Sequence, residues 1–303
     1  MARSVAMKKN LHILALAITL VTAFSARVLS QDAGSLLDLV KDTVQETDYI
    51  KNAFKSTRVI NGQSIEMLGA GSLDFRILHR FGPVNSGVNN FFGIDQSSIR
   101  LAFDYAPYND LLVGVGRSSK DTKDLDGFVK YRPFQQSVGA KVMPVSIVLV
   151  AGVTCRTTPY DNPTVANYLT SNLAFFQQVL IGRKFSDDLS LQLSPTLVHY
   201  NLVPLTSDPH DIYALGLGGR IRLTNRISFT FDWYHPFNRI PSFGTTYDPL
   251  SIGIDIETGG HVFQVHLTNC SGMNERAFIT ETTQNWLKGG ISLGFNISRI
   301  FQL

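Results

Sequence analysis

From Ser64 onward the chain alternates apolar and polar residues in twelve separate stretches. In the clearest, Leu73, Phe75, Ile77 and Phe81 oppose Asp74, Arg76 and Arg80. A period of two places one apolar and one polar face on each stretch, which predicts a β-strand. The second stretch sets Ile99, Leu101, Phe103 and Tyr105 against Arg100 and Asp104, and the next two run over 111–116 and 125–132. Val145, Ile147, Leu149 and Val153 mark a fifth, 175–184 a less regular sixth, and Leu189, Leu191, Leu193 and Leu197 a seventh. Tyr213 to Leu223, Ile227 to Trp233, Leu250 to Ile256 and Phe263 to Leu267 follow. The twelfth is the tail, where Ile291, Leu293, Phe295, Ile297, Phe301 and Leu303 share one parity and Arg299 is the exception.

The links between these stretches alternate in length. Residues 82–97, 155–170, 201–211 and 269–290 are long, whereas 106–110, 224–226 and 258–260 are short; the rhythm blurs between the third and fifth strands. Long loops at one end, short turns at the other and an even strand number describe an antiparallel transmembrane β-barrel with both termini on the turn side. The expected fold is therefore an all-β barrel of about twelve strands over 64–303, in a bacterial outer membrane, with both termini periplasmic.

Ahead of the barrel, Leu36, Val40 and Val44 recur every four residues behind a Ser35/Asp38 capping pattern, which predicts a short amphipathic helix within 35–54. It belongs to an N-terminal periplasmic segment over 31–63, and a disordered leader is the alternative. Residues 1–30 read as a signal peptide. Arg3, Lys8 and Lys9 form a positive start, Leu11 to Phe24 an apolar run, and Val28-Leu29-Ser30 a cleavage site before Gln31.

Removing that segment changes the charge. The chain has 27 Lys and Arg, 24 Asp and Glu, and a net charge of +3. Four of the bases and none of the acids lie in residues 1–30, so the remainder carries 23 bases, 24 acids and a net charge of −1. A nucleic-acid partner loses its electrostatic basis. Twenty Phe, ten Tyr and 24 Gly favour strands and tight turns, and no later run approaches a spanning helix. Cys155 and Cys270 are expected in an oxidising compartment, either paired or as two free thiols.

Charges crowd the polar parity. Asp74, Arg76, Arg80, Arg100, Asp104, Asp126, Lys130, Arg132, Arg220, Arg222, Asp232, Asp255 and Glu257 all oppose the apolar face. With the apolar face toward lipid they line the lumen, since a lipid-facing charge costs roughly 2–4 kcal/mol near the midplane. There they serve as an interior network that fixes register, or as the wall of a passage for a polar solute.

Catalytic and metal patterns are weak. His199, His261 and His266 lie on or beside strands, without a Gly-x-Ser-x-Gly elbow or a Cys-x-x-Cys pair. Gly216, Gly218 and Gly219 precede a continuing strand rather than a phosphate-binding helix. No catalytic, cofactor or metal residue is assigned.

Several stretches resemble an uncharacterised β-barrel family of Bacteroidota, a domain of unknown function. They include Phe54-Lys55-Ser56-Thr57-Arg58-Val59-Ile60-Asn61-Gly62, Leu73 to Gly82, Val113 to Ser118, Pro195 to His199, Asp255 to Phe263, Phe278 to Thr283 and Gly294 to Arg299. Ala106-Pro107 stands where the family tends to have Gly after the tyrosine of its second strand. The resemblance implies an outer-membrane barrel and supplies no ligand residues. The expected function is a porin-like or solute-binding barrel that passes or holds a small polar or amphiphilic solute, in contact with outer-membrane lipid. A scaffold with partner-binding loops, or a lipid-acting enzyme using His199 or His261 with Glu257, is the alternative.

Overall fold

A computed structural model describes residues 46–160 and 167–303. The signal peptide expected over 1–30, and residues 31–45 of the segment after it, lie outside the described residues. Twelve strands close a barrel: β2 (Ser72–Pro83), β3 (Ser97–Tyr108), β4 (Leu111–Ser118), β5 (Leu125–Phe134), β7 (Ser146–Cys155) and β8 (Leu173–Lys184), then β9 (Leu189–Tyr200), β10 (Asp211–Arg222), β11 (Ile227–Pro236), β12 (Leu250–Thr258), β13 (His261–Thr268) and β14 (Ser292–Gln302). Each pairs antiparallel with its neighbour in sequence, and β14 closes on β2 through Gln302↔Ser72, Phe301↔Leu73 and Ile297↔Ile77. Two short strands, β1 (Thr47–Tyr49) and β6 (Ser137–Gly139), pair outside the barrel wall.

The alternation predicted from sequence is the inside–outside alternation of the wall. On β2, Asp74, Arg76, Leu78 and Arg80 are buried while Leu73, Phe75 and Ile77 face outward. Leu101, Phe103, Val115, Val129, Leu149, Val179, Val265 and Leu293 are exposed on other strands, forming an apolar outer band. Tyr105, Tyr131, Tyr213 and Phe301 add exposed aromatic rings to it. A band of this kind matches hydrocarbon, with aromatic rings suited to the membrane interfaces.

One end of the barrel carries the short links 109–110, 185–188, 223–226 and 259–260, and is the turn end. The loop end carries 84–96, 156–172, 201–210, 237–249 and 269–291. The blurred rhythm has a local cause. The loop-end link 119–124 is short, whereas the turn-end link 135–145 is long because it contains β6, the partner of β1.

Most of the helix expected within 35–54, including Leu36, Val40 and Val44, lies outside the described residues. The described part, 46–54, contains β1 and no helix. Residues 53–65 then enter the barrel, where all but Lys55 are buried. These residues, which fill the barrel interior, therefore precede its first strand in the chain.

Candidate functional site: a lumen closed from both ends

Residues 53–68 form a plug. The chain rises from the turn end, reverses at Val59–Gly62, and returns to β2. The Val59 N–H donates to the Gly62 carbonyl at 2.9 Å and the Ser64 N–H to the Thr57 carbonyl at 3.0 Å. This narrow reversal has little regular secondary structure of its own, so its buried amide groups need partners on the wall.

The wall supplies them. One carboxylate oxygen of Asp232 accepts from three consecutive amides, Ile60 at 3.3 Å, Asn61 at 2.6 Å and Gly62 at 3.0 Å. Gln264 Nε2 donates to the Val59 carbonyl at 2.6 Å, Asn296 Nδ2 to Ile60 at 3.0 Å and Gln192 Nε2 to Gln63 at 2.7 Å. Lys130 Nζ reaches the carbonyls of Thr57 and Glu66 at 3.2 and 2.7 Å. Arg220 Nη1 reaches those of Asn52 and Ala53 at 2.6 and 2.9 Å.

Shape completes the seat at two glycines. A Cβ on Gly62 would stand 2.0 Å from Tyr234 Oη, and one on Gly218 would stand 3.1 Å from Val59. Glycine there allows the tip to meet the wall closely.

From the loop end, residues 269–290 fold inward around helix α1 (Glu275–Thr280). Asn274 caps the helix by accepting from the Ala277 N–H at 2.9 Å. Phe278 and Ile279 are fully buried, with Phe278 edge-on to Tyr234 at 5.1 Å. Their seat is the apolar part of the lumen, where Phe176, Leu180 and Ile212 point inward. A polar clasp holds the loop's edge. Arg276 pairs with Asp124 at 2.7 Å and with Glu281, while Thr280 Oγ1 is hydrogen-bonded to Tyr200 Oη at 2.5 Å.

Plug and loop meet at one ion pair. Arg58 Nη1 of the plug lies 2.8 Å from Glu275 Oε1 of α1, and both side chains are 1 % exposed. Gln63 Nε2 donates to the same carboxylate oxygen at 3.1 Å. Desolvation offsets much of such a pair's attraction, so its main effect is to fix which groups meet.

The charges singled out from sequence take two kinds of place. Asp74, Arg76, Arg80, Arg100, Asp104, Asp126, Lys130, Arg220, Asp232 and Asp255 are buried in the interior. Some pair within the wall: Arg100 binds Asp126 through two nitrogens, and Arg76 lies 3.2 Å from Asp74 and 4.0 Å from Asp104. Arg132, Arg222 and Glu257 sit at strand ends on the turn rim, paired with Asp110, Asp188 and Lys55. Sequence reasoning missed the plug and Glu275, Arg276 and Asp124, which lie off the alternating strands.

His199 Nδ1 is 2.7 Å from Asp211, and no serine hydroxyl bonds its ring among the described residues. His261 lies at the turn rim, next to a cavity of about 190 Å³ also lined by Lys55, Glu66 and Glu257. Cys155 and Cys270 are both free thiols, and no cluster of metal-ligating residues occurs among the described residues.

Comparison with known proteins places the chain. The family model described as Membrane bound beta barrel domain (DUF5777) matches residues 54–301, so it includes the plug as well as the wall. No curated protein matches the chain. Among solved structures, the NanC porin is similar over 76% of this chain and 100% of its own, at 10% identity and a TM-score of 0.48. An outer membrane channel from Pseudomonas putida F1 is similar over 78% and 98%, at 12% identity and a TM-score of 0.46. Omp33 of Acinetobacter baumannii is similar over 79% and 100%, at 7% identity and a TM-score of 0.42.

Proposed function

The chain belongs to this family of membrane-bound β-barrels, and from that premise we propose that it is a porin-like barrel of the bacterial outer membrane, of Bacteroidota origin, that passes a small polar or amphiphilic solute when the plug is displaced together with the inward loop it meets at Arg58–Glu275. The turn end, with both termini, faces the periplasm in this reading, and the loops face outward. One observation carries it: the tip of the plug is held by hydrogen bonds that its amides donate to Asp232 and that its carbonyls accept from Gln264, Asn296 and Gln192. Water can replace such bonds at a net cost of roughly 0.5–1.5 kcal/mol each, and roughly 1.5–3 kcal/mol for those to the Asp232 carboxylate. Several buried polar atoms beside the plug, including Arg58 Nη2, Arg76 Nε and Gln192 Oε1, have no protein partner. A seat of that kind suits hydration better than a permanent apolar seal would.

Single-channel recording from refolded residues 31–303 in a planar bilayer tests this reading. Brief openings on a closed baseline are expected. A folded, heat-modifiable barrel that never conducts would reject passage and favour a scaffold whose loops hold a partner.

A further inference from the structure

The wall offers the plug mainly donors. Lys130, Arg76, Arg80, Gln192, Arg220, Gln264 and Asn296 all donate to its oxygens. In the other direction, Asp232 accepts from the backbone of the tip, Ser251 from Asn61, Asp104 from Thr57 and Glu257 from Lys55. Four of the donors are cationic, yet every plug oxygen they meet is neutral. Lys130 and Arg220 meet backbone carbonyls, Arg80 meets the side-chain amide of Asn61, and Arg76 meets the hydroxyls of Ser56 and Thr57.

Arg76 also has Asp74 and Asp104 beside it. Lys130, Arg80 and Arg220 form no ion pair among the described residues, although each is at most 3 % exposed. Donor nitrogens of the same wall, Arg76 Nε and Nη2, Arg80 Nε and Arg220 Nε, are buried without any partner. Two acids near these cations are engaged elsewhere: Asp255 accepts from Thr230 and Gln264, and the Glu66 carboxylate of the plug from the Ala53 and Phe54 amides.

We infer that the plug's own oxygens occupy the lumen's solute site, and that the solute is a small hydroxy acid. This rests on the passage reading above. A carboxylate meeting Lys130, Arg80 or Arg220 makes charge-assisted bonds, roughly twice as strong as those to neutral oxygens. Hydroxyl hydrogens satisfy Asp232 once the three amides of the plug leave it. A solute that binds only the plug-displaced form shifts the population toward that form in proportion to its concentration over its dissociation constant.

The native thiol Cys270 reports the displacement. It is fully buried, and its Sγ lies 3.5 Å from Asn61 Nδ2 at the plug's tip. In a Cys155→Ser chain, the rate of Cys270 modification by a small thiol reagent is measured in sodium gluconate, in sodium chloride with sorbitol, and in choline chloride, at matched ionic strength. Gluconate is expected to speed modification about tenfold over the other two, and a Lys130→Gln/Arg220→Gln chain that still folds is expected to lose that difference; tenfold corresponds to about 1.4 kcal/mol. Equal rates in the three media, or an acceleration that survives both substitutions, would overturn the inference. Should the double variant fail to fold, Lys130→Gln alone carries the same expectation. Acceleration in a chain that never conducts keeps the site and rejects passage. Conduction without a gluconate effect rejects the site and keeps passage.

Discussion

Asp232→Ala is the most informative single change, because one carboxylate oxygen holds three consecutive amides of the plug's tip. The bonds are 2.6, 3.0 and 3.3 Å long. Hydrogen bonds to a charged group contribute roughly 1.5–3 kcal/mol each, and truncation also removes the cost of burying the carboxylate, so a net loss of about 3 kcal/mol is expected. That loss raises the plug-displaced population by about 150-fold. The wall itself is little affected, since Asp232 faces inward and the pairing of β11 with β10 and β12 is made by backbone. The assay is single-channel recording with wild type and variant side by side, with heat modifiability on gels as the folding control. Long or frequent openings are expected in Asp232→Ala against rare ones in wild type. A folded variant with the closed baseline of wild type would refute the claim that this carboxylate holds the lumen shut.

Acid is expected to loosen the loop-end clasp. Burial pushes the Asp124 carboxyl up, but the Arg276 charge and hydrogen bonds from Thr122, Arg276 and Asn274 outweigh it and hold the group below its usual 3.8. Its contribution is therefore complete above that value and is lost as pH falls through the depressed one. Pepsin cleavage within 269–290 should rise only at the acid end of its range in wild type, and throughout in Arg276→Ala; equal resistance of the two proteins would contradict the clasp. On the outer face, Val265→Arg should destabilise the barrel in vesicles by roughly 2–4 kcal/mol, read as a lower urea midpoint. Val265 is 47% exposed between Ile254 and Phe295, so an unchanged midpoint would argue against a lipid-facing band there.

The barrel wall is legible in the sequence because its rule is local. Asp74, Arg76 and Arg80 on one parity and Leu73, Phe75 and Ile77 on the other already state which face is inside. The same rule places ten of the thirteen marked charges in the interior. Parity does not tell where a strand rises into the rim, which is where Arg132, Arg222 and Glu257 stand. The plug is invisible to such reasoning. Its conformation is set by partners 19 to 236 positions away, from Arg80 to Asn296, on strands all round the wall. Residues 53–65 have no period because they pack against a closed wall on every side. The one available sign is the mixed charge of that wall, which needs something polar within it to satisfy it.

The central claim is that conduction requires the plug to leave its seat, and a reversible tether tests it most directly. A Cβ on Gly218 would lie 3.8 Å from the Cβ of Val59, which matches the mean separation in a disulfide. Val59→Cys/Gly218→Cys, in a chain whose native thiols are replaced by Cys155→Ser and Cys270→Ala, should be silent when oxidised and should conduct again after reductant is added. Equal conductance of the cross-linked and reduced forms would contradict the account, because ions would then be crossing a lumen with the plug still fixed in place.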